Sequence, residues 1–135
     1  MKLKTFTDGG ARGNPGPAGI GGVVYSETDE VLAEVSEYIG KTTNNQAEYQ
    51  ALIATLTKAK ELGATEVECY LDSLLVVNQV KGQWKVKNQD LAPHVVTIRN
   101  LASQIGKVSY QHVPREQNTA ADAQVNKAID AELGL

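Results

Sequence analysis

Cysteine, histidine, tryptophan and methionine are all scarce in this chain of 135 residues, which carries one Cys, two His, one Trp and one Met. The lone Cys69 rules out an internal disulfide. One cysteine with two histidines, His94 and His112, is too few for a zinc site of the His/Cys kind. No apolar run approaches the ~18 residues that a bilayer-spanning helix needs, so no membrane partner is expected. The opening stretch MKLKTFTDGG holds lysines but no apolar core of the kind a secretory signal requires, and a reducing cytoplasm is the expected compartment. Positive charge is in short supply too. Thirteen Lys+Arg face sixteen Asp+Glu, a net charge of −3, which is not the basic footprint usual for a nucleic-acid binder. The rest is ordinary: 41% hydrophobic and 21% charged residues, and length enough for one core. Residues 1–135 are read as a single domain, without repeat or linker, and a monomer is expected.

The residue pattern is strand-like up to Gly40 and changes after it. Lys2–Asp8 alternates as a strand, with Leu3, Thr5 and Thr7 on one face. The stretch GGARGNPGPAGIGG then gathers seven of the twelve glycines and two of the four prolines, so it reads as turn-rich and excludes a helix. Further strands are expected at Ile20–Ser26 and Val31–Ile39. After Gly40 the period becomes helical. Thr43 to Gln46 fits a capping box in which Thr43 caps and Gln46 reaches back; Leu52, Leu56, Ala59 and Leu62 follow on one face, and Gly63 stops the helix. Glu66–Leu71 reads as a strand. Asp72-Ser73 can cap a short helix LLVVNQV, which Gly82 ends. A helix from about Asp90 to Ser103 starts through Pro93. Lys107–Val113 is a fifth strand, and Asn118 or Thr119 caps a last helix to about Glu132. The order β-β-β-α-β-α-α-β-α predicts an α/β fold: a five-stranded mixed sheet flanked by helices, its first three strands antiparallel and the last two parallel.

Four acids fall at the ends of these elements. Asp8 ends strand 1, Asp72 ends strand 4, Glu48 sits about one turn into the first long helix, and Asp122 lies in the first turn of the last. Each alone has a plain explanation as a turn residue, a cap or a solvated helix position. Together they have another. If strands 1 and 4 are parallel neighbours, Asp8 and Asp72 emerge at the same carboxyl edge, where open α/β sheets bind ligands, and Asp122 can converge on it. Such acids would repel one another without cations. Hard Mg²⁺ takes oxygen ligands, and two such ions about 3.5–4 Å apart suit phosphodiester cleavage.

The blocks around these acids resemble the type 1 ribonuclease H family, including its reverse-transcriptase-like branch. They are TDGGARGNPGPAGIGGVV around Asp8, TTNNQAEYQAL around Glu48, CYLDSLLVV around Asp72, WKVKNQDL after it, and HVPREQNTAADAQVNKA around Asp122. They stand in the family's order over nearly the whole chain. The resemblance implies the ribonuclease H-like fold and hydrolysis of the RNA strand of an RNA–DNA hybrid, leaving 5′-phosphate and 3′-hydroxyl ends. It implies two Mg²⁺ ions, with Mn²⁺ as a substitute, held by Asp8, Glu48, Asp72 and Asp122. It further implies substrate contacts at Gly9, Asn14, Thr43, Asn44, Asn45, Gln46 and Ser73, with Thr43 and Asn88 on a DNA phosphate, and Trp84, Lys85 and Lys87 along the hybrid. Amide groups both donate and accept, as does the 2′-hydroxyl that marks RNA.

Two departures from the family pattern stand out. Many members carry a histidine-bearing loop between the fifth strand and the last helix; here the connection is PREQNTAA, and His112 before it is read as structural. A longer basic protrusion of many members shrinks to Lys81, Lys85 and Lys87. Two bound Mg²⁺ would turn the net charge from −3 to +1, so weak, salt-sensitive binding is expected. GKTT at Gly40–Thr43 is not a phosphate loop, because Val35 stands where that motif needs glycine. Two other readings stay open at this level: a non-catalytic nucleic-acid-binding module on the same fold, and a same-fold nuclease acting on double-stranded RNA.

Overall fold

A computed structural model describes residues 1–135. Its elements are β1 (Lys2–Ala11), β2 (Gly16–Ser26), β3 (Val31–Thr42), α1 (Asn44–Glu61), β4 (Glu66–Leu71), α2 (Leu74–Val80), α3 (Ala92–Ile105), β5 (Lys107–His112), a 3-10 turn at Arg115–Gln117, and α4 (Thr119–Leu133). One sheet holds all five strands in the order β3-β2-β1-β4-β5. β1 pairs antiparallel with β2 and parallel with β4; β2–β3 is antiparallel and β4–β5 parallel. The expected element order and sheet type are therefore present.

The first two strands are longer than expected. β1 continues to Ala11, so Asp8 lies three residues inside the strand instead of ending it. β2 begins at Gly16, which leaves only Arg12–Pro15 as the turn between them. The glycines expected to break structure lie mostly within strands. They leave β2 smooth, so helices pack on its backbone from both sides.

α1, α2 and α3 cover one face, where Leu3, Val67, Cys69 and Leu71 of the sheet meet Leu52, Leu56, Val76 and Ile98 in the main core. Cys69 is fully buried there, and burial pushes its thiol up to about 12, as a reduced core residue requires. α4 packs alone on the other face through Ala121, Val125, Ala128 and Ile129.

The caps also differ in detail from expectation. Thr43 caps α1 by accepting the Gln46 N–H, but the Gln46 side chain does not reach back; it hydrogen-bonds to Asp90 O and His94 at the start of α3. Ser73, not Asp72, caps α2. Asn118 stands at the N-cap of α4 without a capping hydrogen bond; its Nδ2 donates to Thr7 O instead, and its Oδ1 has no partner. His112 is exposed at the end of β5, so it has no packing role.

Candidate active site

The register of the sheet creates the site. β4 pairs with β1 only as far as Leu71 opposite Thr7, while β1 runs on to Ala11. Beyond β4 the N–H groups of Gly9 and Ala11 have no strand partner. Two residues of α1, one helical turn apart, accept them: Glu48 Oε1 takes Gly9 N–H at 3.2 Å, and Asn44 Oδ1 takes Ala11 N–H at 2.8 Å. The start of α1 thus closes the open edge of β1 and brings a carboxylate there. Gly9 makes this approach feasible, because a Cβ on it would lie 2.3 Å from the Ala47 carbonyl carbon and oxygen.

All four predicted acids line one cleft of about 470 Å³ at this carboxyl edge. Asp8, Glu48 and Asp72 each present an oxygen, and these oxygens lie within 4.8 Å of one another. Asp122 is outside that trio but lines the same cleft, where its charge acts on Asp8. Asp8 and Glu48 are both buried. Burial, followed by the charges of Asp72 and Asp122, raises the Asp8 carboxyl to about 7, although contact with Glu48 opposes the shift. Burial and the neighbouring Asp8 and Asp72 charges lift Glu48 well above the usual carboxylate range, against the pull of the Gly9 N–H. Glu48 Oε2 is buried and has no hydrogen-bond partner. A crowded all-oxygen donor set with one orphaned buried oxygen fits a hard divalent cation.

The cleft also gathers Gly9, Asn44, Asn45 and Ser73 from the expected substrate set. Asn14 and Thr43 stand outside its lining. Asn14 Oδ1 accepts the Asn44 N–H at 3.0 Å, tying the β1–β2 turn to the start of α1. Gln46 is turned away towards α3. Trp84, Lys85, Lys87 and Asn88 lie on the separate segment between α2 and α3, all of them exposed, Trp84 at 46%. Asn88 Oδ1 accepts the Asp90 N–H and so shapes the approach to α3.

Two groups at the site escaped the residue pattern. Asn118 is 1% exposed; its Nδ2 donates to Thr7 O at 2.8 Å and to Asp72 Oδ2 at 3.3 Å, linking Asp72 to β1 at Thr7. Its place two residues before the alanine pair of α4 suggested only a cap. Arg12 of the β1–β2 turn donates to Asn126 Oδ1, and Asn126 Nδ2 donates to Asp122 Oδ2 at 3.3 Å; Arg12 is also paired with Asp130 at 2.6 Å. Asp122, Asn126 and Asp130 are four residues apart on one face of α4, a spacing visible in sequence only once Arg12 is known to lie beside it.

A family model described as reverse transcriptase-like matches residues 6–128. The bifunctional protein Rv2228c of Mycobacterium tuberculosis is 52% identical over 132 residues, covering 97% of this chain and 36% of the relative. Ribonuclease HI of Halobacterium salinarum is 43% identical over 129 residues, covering 96% of this chain and 65% of the relative. The chain thus spans about a third of the mycobacterial protein. The crystal structure of LC11-RNase H1 in complex with RNA/DNA hybrid superposes with a TM-score of 0.93 at 45% identity, covering 97% of this chain and 99% of that one.

Proposed function

The chain belongs to the type 1 ribonuclease H family, and on that premise we propose that it is a metal-dependent endonuclease cutting the RNA strand of RNA–DNA hybrids. The observation that carries the reading is the meeting of four carboxylates, from β1, α1, the end of β4 and α4, in one cleft. A binding module has no need of acids that crowd and repel in this way.

In this reading Asp8, Glu48, Asp72 and Asp122 hold the metal. Bound there, a pair of Mg²⁺ ions, or Mn²⁺ in their place, would supply a nucleophile from water and neutralise charge at the leaving oxygen. The chain's own residues do the rest. Asp8 belongs to the trio of close oxygens and shares the cleft with Asp122, so it can serve both sides of the set. Glu48, pinned by Gly9 N–H through Oε1, keeps Oε2 for the metal or its water. Asn118 holds the Asp72 carboxylate in place. Asn44 and Asn45 offer amide groups to the RNA 2′-hydroxyls; Asn44 Nδ2 has no partner within the chain once Oδ1 has taken Ala11 N–H. Ser73 and Gly9 bound the cleft beside them. Water adds to phosphorus, the P–O3′ bond breaks, the 3′-oxygen takes a proton, and the products end in 5′-phosphate and 3′-hydroxyl.

The test uses end-labelled RNA–DNA hybrid, RNA duplex and DNA duplex with Mg²⁺, with Mn²⁺ and with chelator, beside Asp72→Asn. Metal-dependent loss of the hybrid's RNA strand alone, abolished in the variant, supports the reading. Binding without cutting, unchanged in Asp72→Asn, would replace it with a binding module. Cutting of RNA duplex would reassign the substrate.

A further inference from the structure

The segment between α2 and α3 carries three exposed lysines and the exposed Trp84, yet no helix or strand holds it. What holds it is a set of polar ties to α1, the helix that bears Glu48, running from the buried Tyr49–Gln79 bond to the exposed Gln46–Asp90 bond. Gln79 of α2 is 5% exposed. Its Oε1 accepts from Tyr49 OH at 2.5 Å, and its Nε2 donates to Lys85 O at 3.3 Å. Only one orientation of the amide serves both partners, because a phenol donates and a carbonyl accepts. Tyr49 is the residue after Glu48 and is fully buried. Its hydroxyl donates to Gln79 from within the core. Its ring stacks on His94, whose Nε2 lies 2.7 Å from Gln46 Oε1, and Gln46 Nε2 donates to Asp90 O at 3.1 Å. Between these two amide ties Val86 packs against the main core, so Lys85 and Lys87 face outward on either side of it.

We infer that Gln79 and Tyr49 are positioning residues that fix the lysine- and Trp84-bearing segment in register with Glu48, so that the backbone of the hybrid is gripped at a set distance from the cleft. The inference rests on the hybrid-hydrolase reading above. It explains how a chain of net negative charge can present three lysines usefully: they are held in place, so less ordering is needed when the polyanion binds. Neither residue touches substrate. Each acts through Lys85 and its neighbours.

The test compares Gln79→Leu and Tyr49→Phe with the parent protein. Dissociation constants for a hybrid duplex are measured on an Asp72→Asn background over a range of salt, and kcat and KM on the active protein. Expected are a several-fold rise in the dissociation constant and in KM, kcat within about two-fold, and a salt slope shallower by about one phosphate contact. The gain in melting temperature on adding Mg²⁺ should be unchanged. A purely structural role would lower the melting temperature and leave the salt slope alone, and that result overturns the inference. Tyr49→Phe, which loses one hydroxyl and no volume, carries the test if Gln79→Leu does not fold. Failure of the parent to bind hybrid at all would instead remove the reading on which the inference rests.

Discussion

Gly21 stands directly opposite Asp8 across the β1–β2 pair, and the space its side chain would fill is taken by the backbone of α4. A Cβ there would lie 2.2 Å from the Ala121 carbonyl oxygen, the residue before Asp122. Asp8 therefore meets Asp122 because its cross-strand neighbour has no side chain. Gly9 does the same on the other face for α1 and Glu48.

Two alanine substitutions should separate these approaches. Gly21→Ala displaces α4 and with it Asp122; Gly9→Ala displaces α1 and with it Glu48. Each is expected to cost about 1–3 kcal/mol by overpacking and to lower hybrid cleavage well beyond the loss of folded protein. Denaturant unfolding and cleavage assays on the same samples measure the two effects. Cleavage that merely tracks the folded fraction would show that the helices can shift without disturbing the acids.

Stability should depend on pH through the acid cluster. Asp8 and Glu48 bind protons more tightly folded than unfolded, so metal-free protein loses stability as pH rises from the ordinary carboxylate range towards about 7 for Asp8. Thermal unfolding in chelator should show a falling midpoint across that window, and Asp8→Asn should make the fall shallower. Millimolar Mg²⁺ should oppose the fall, since cations favour the ionised acids and stabilise the folded state by mass action. An identical pH profile for Asp8→Asn would remove Asp8 as its source.

Asn118→Leu should act through Asp72. It leaves the Thr7 carbonyl without its partner and frees the Asp72 carboxylate. The expected cost is about 1–3 kcal/mol in unfolding free energy, with a raised Mg²⁺ requirement for cleavage. Metal titrations of activity, run where the variant remains folded, read the second effect.

Trp84→Ala isolates the opposite case. The ring is 46% exposed, so its removal should change stability by no more than about 0.5 kcal/mol. Hybrid affinity should nonetheless fall, and equilibrium binding at low salt is the measurement. Unchanged affinity would show that this ring lies off the path of the hybrid.

Much of this protein was legible in its residue pattern. Helical period and a capping residue marked α1, Pro93 marked the start of α3, and alternation marked β1 and β4, because those signals are local and come from the few residues that make each turn or pleat. The four acids were also visible, since each sits beside a boundary that such signals define. The glycines were misleading when read locally: they indicate turns by sequence, yet Gly9 and Gly21 serve a helix that lies far along the chain. The committed side chains of Asn118, Gln46 and Gln79 were equally hidden, because a buried amide is chosen by partners that only the packed chain supplies. Sequence alone thus determined the elements and the identity of the acids. Tertiary structure decided how far β1 overruns β4, how near α1 and α4 come, and which amides hold the site together, because those depend on distances between segments that no local rule relates.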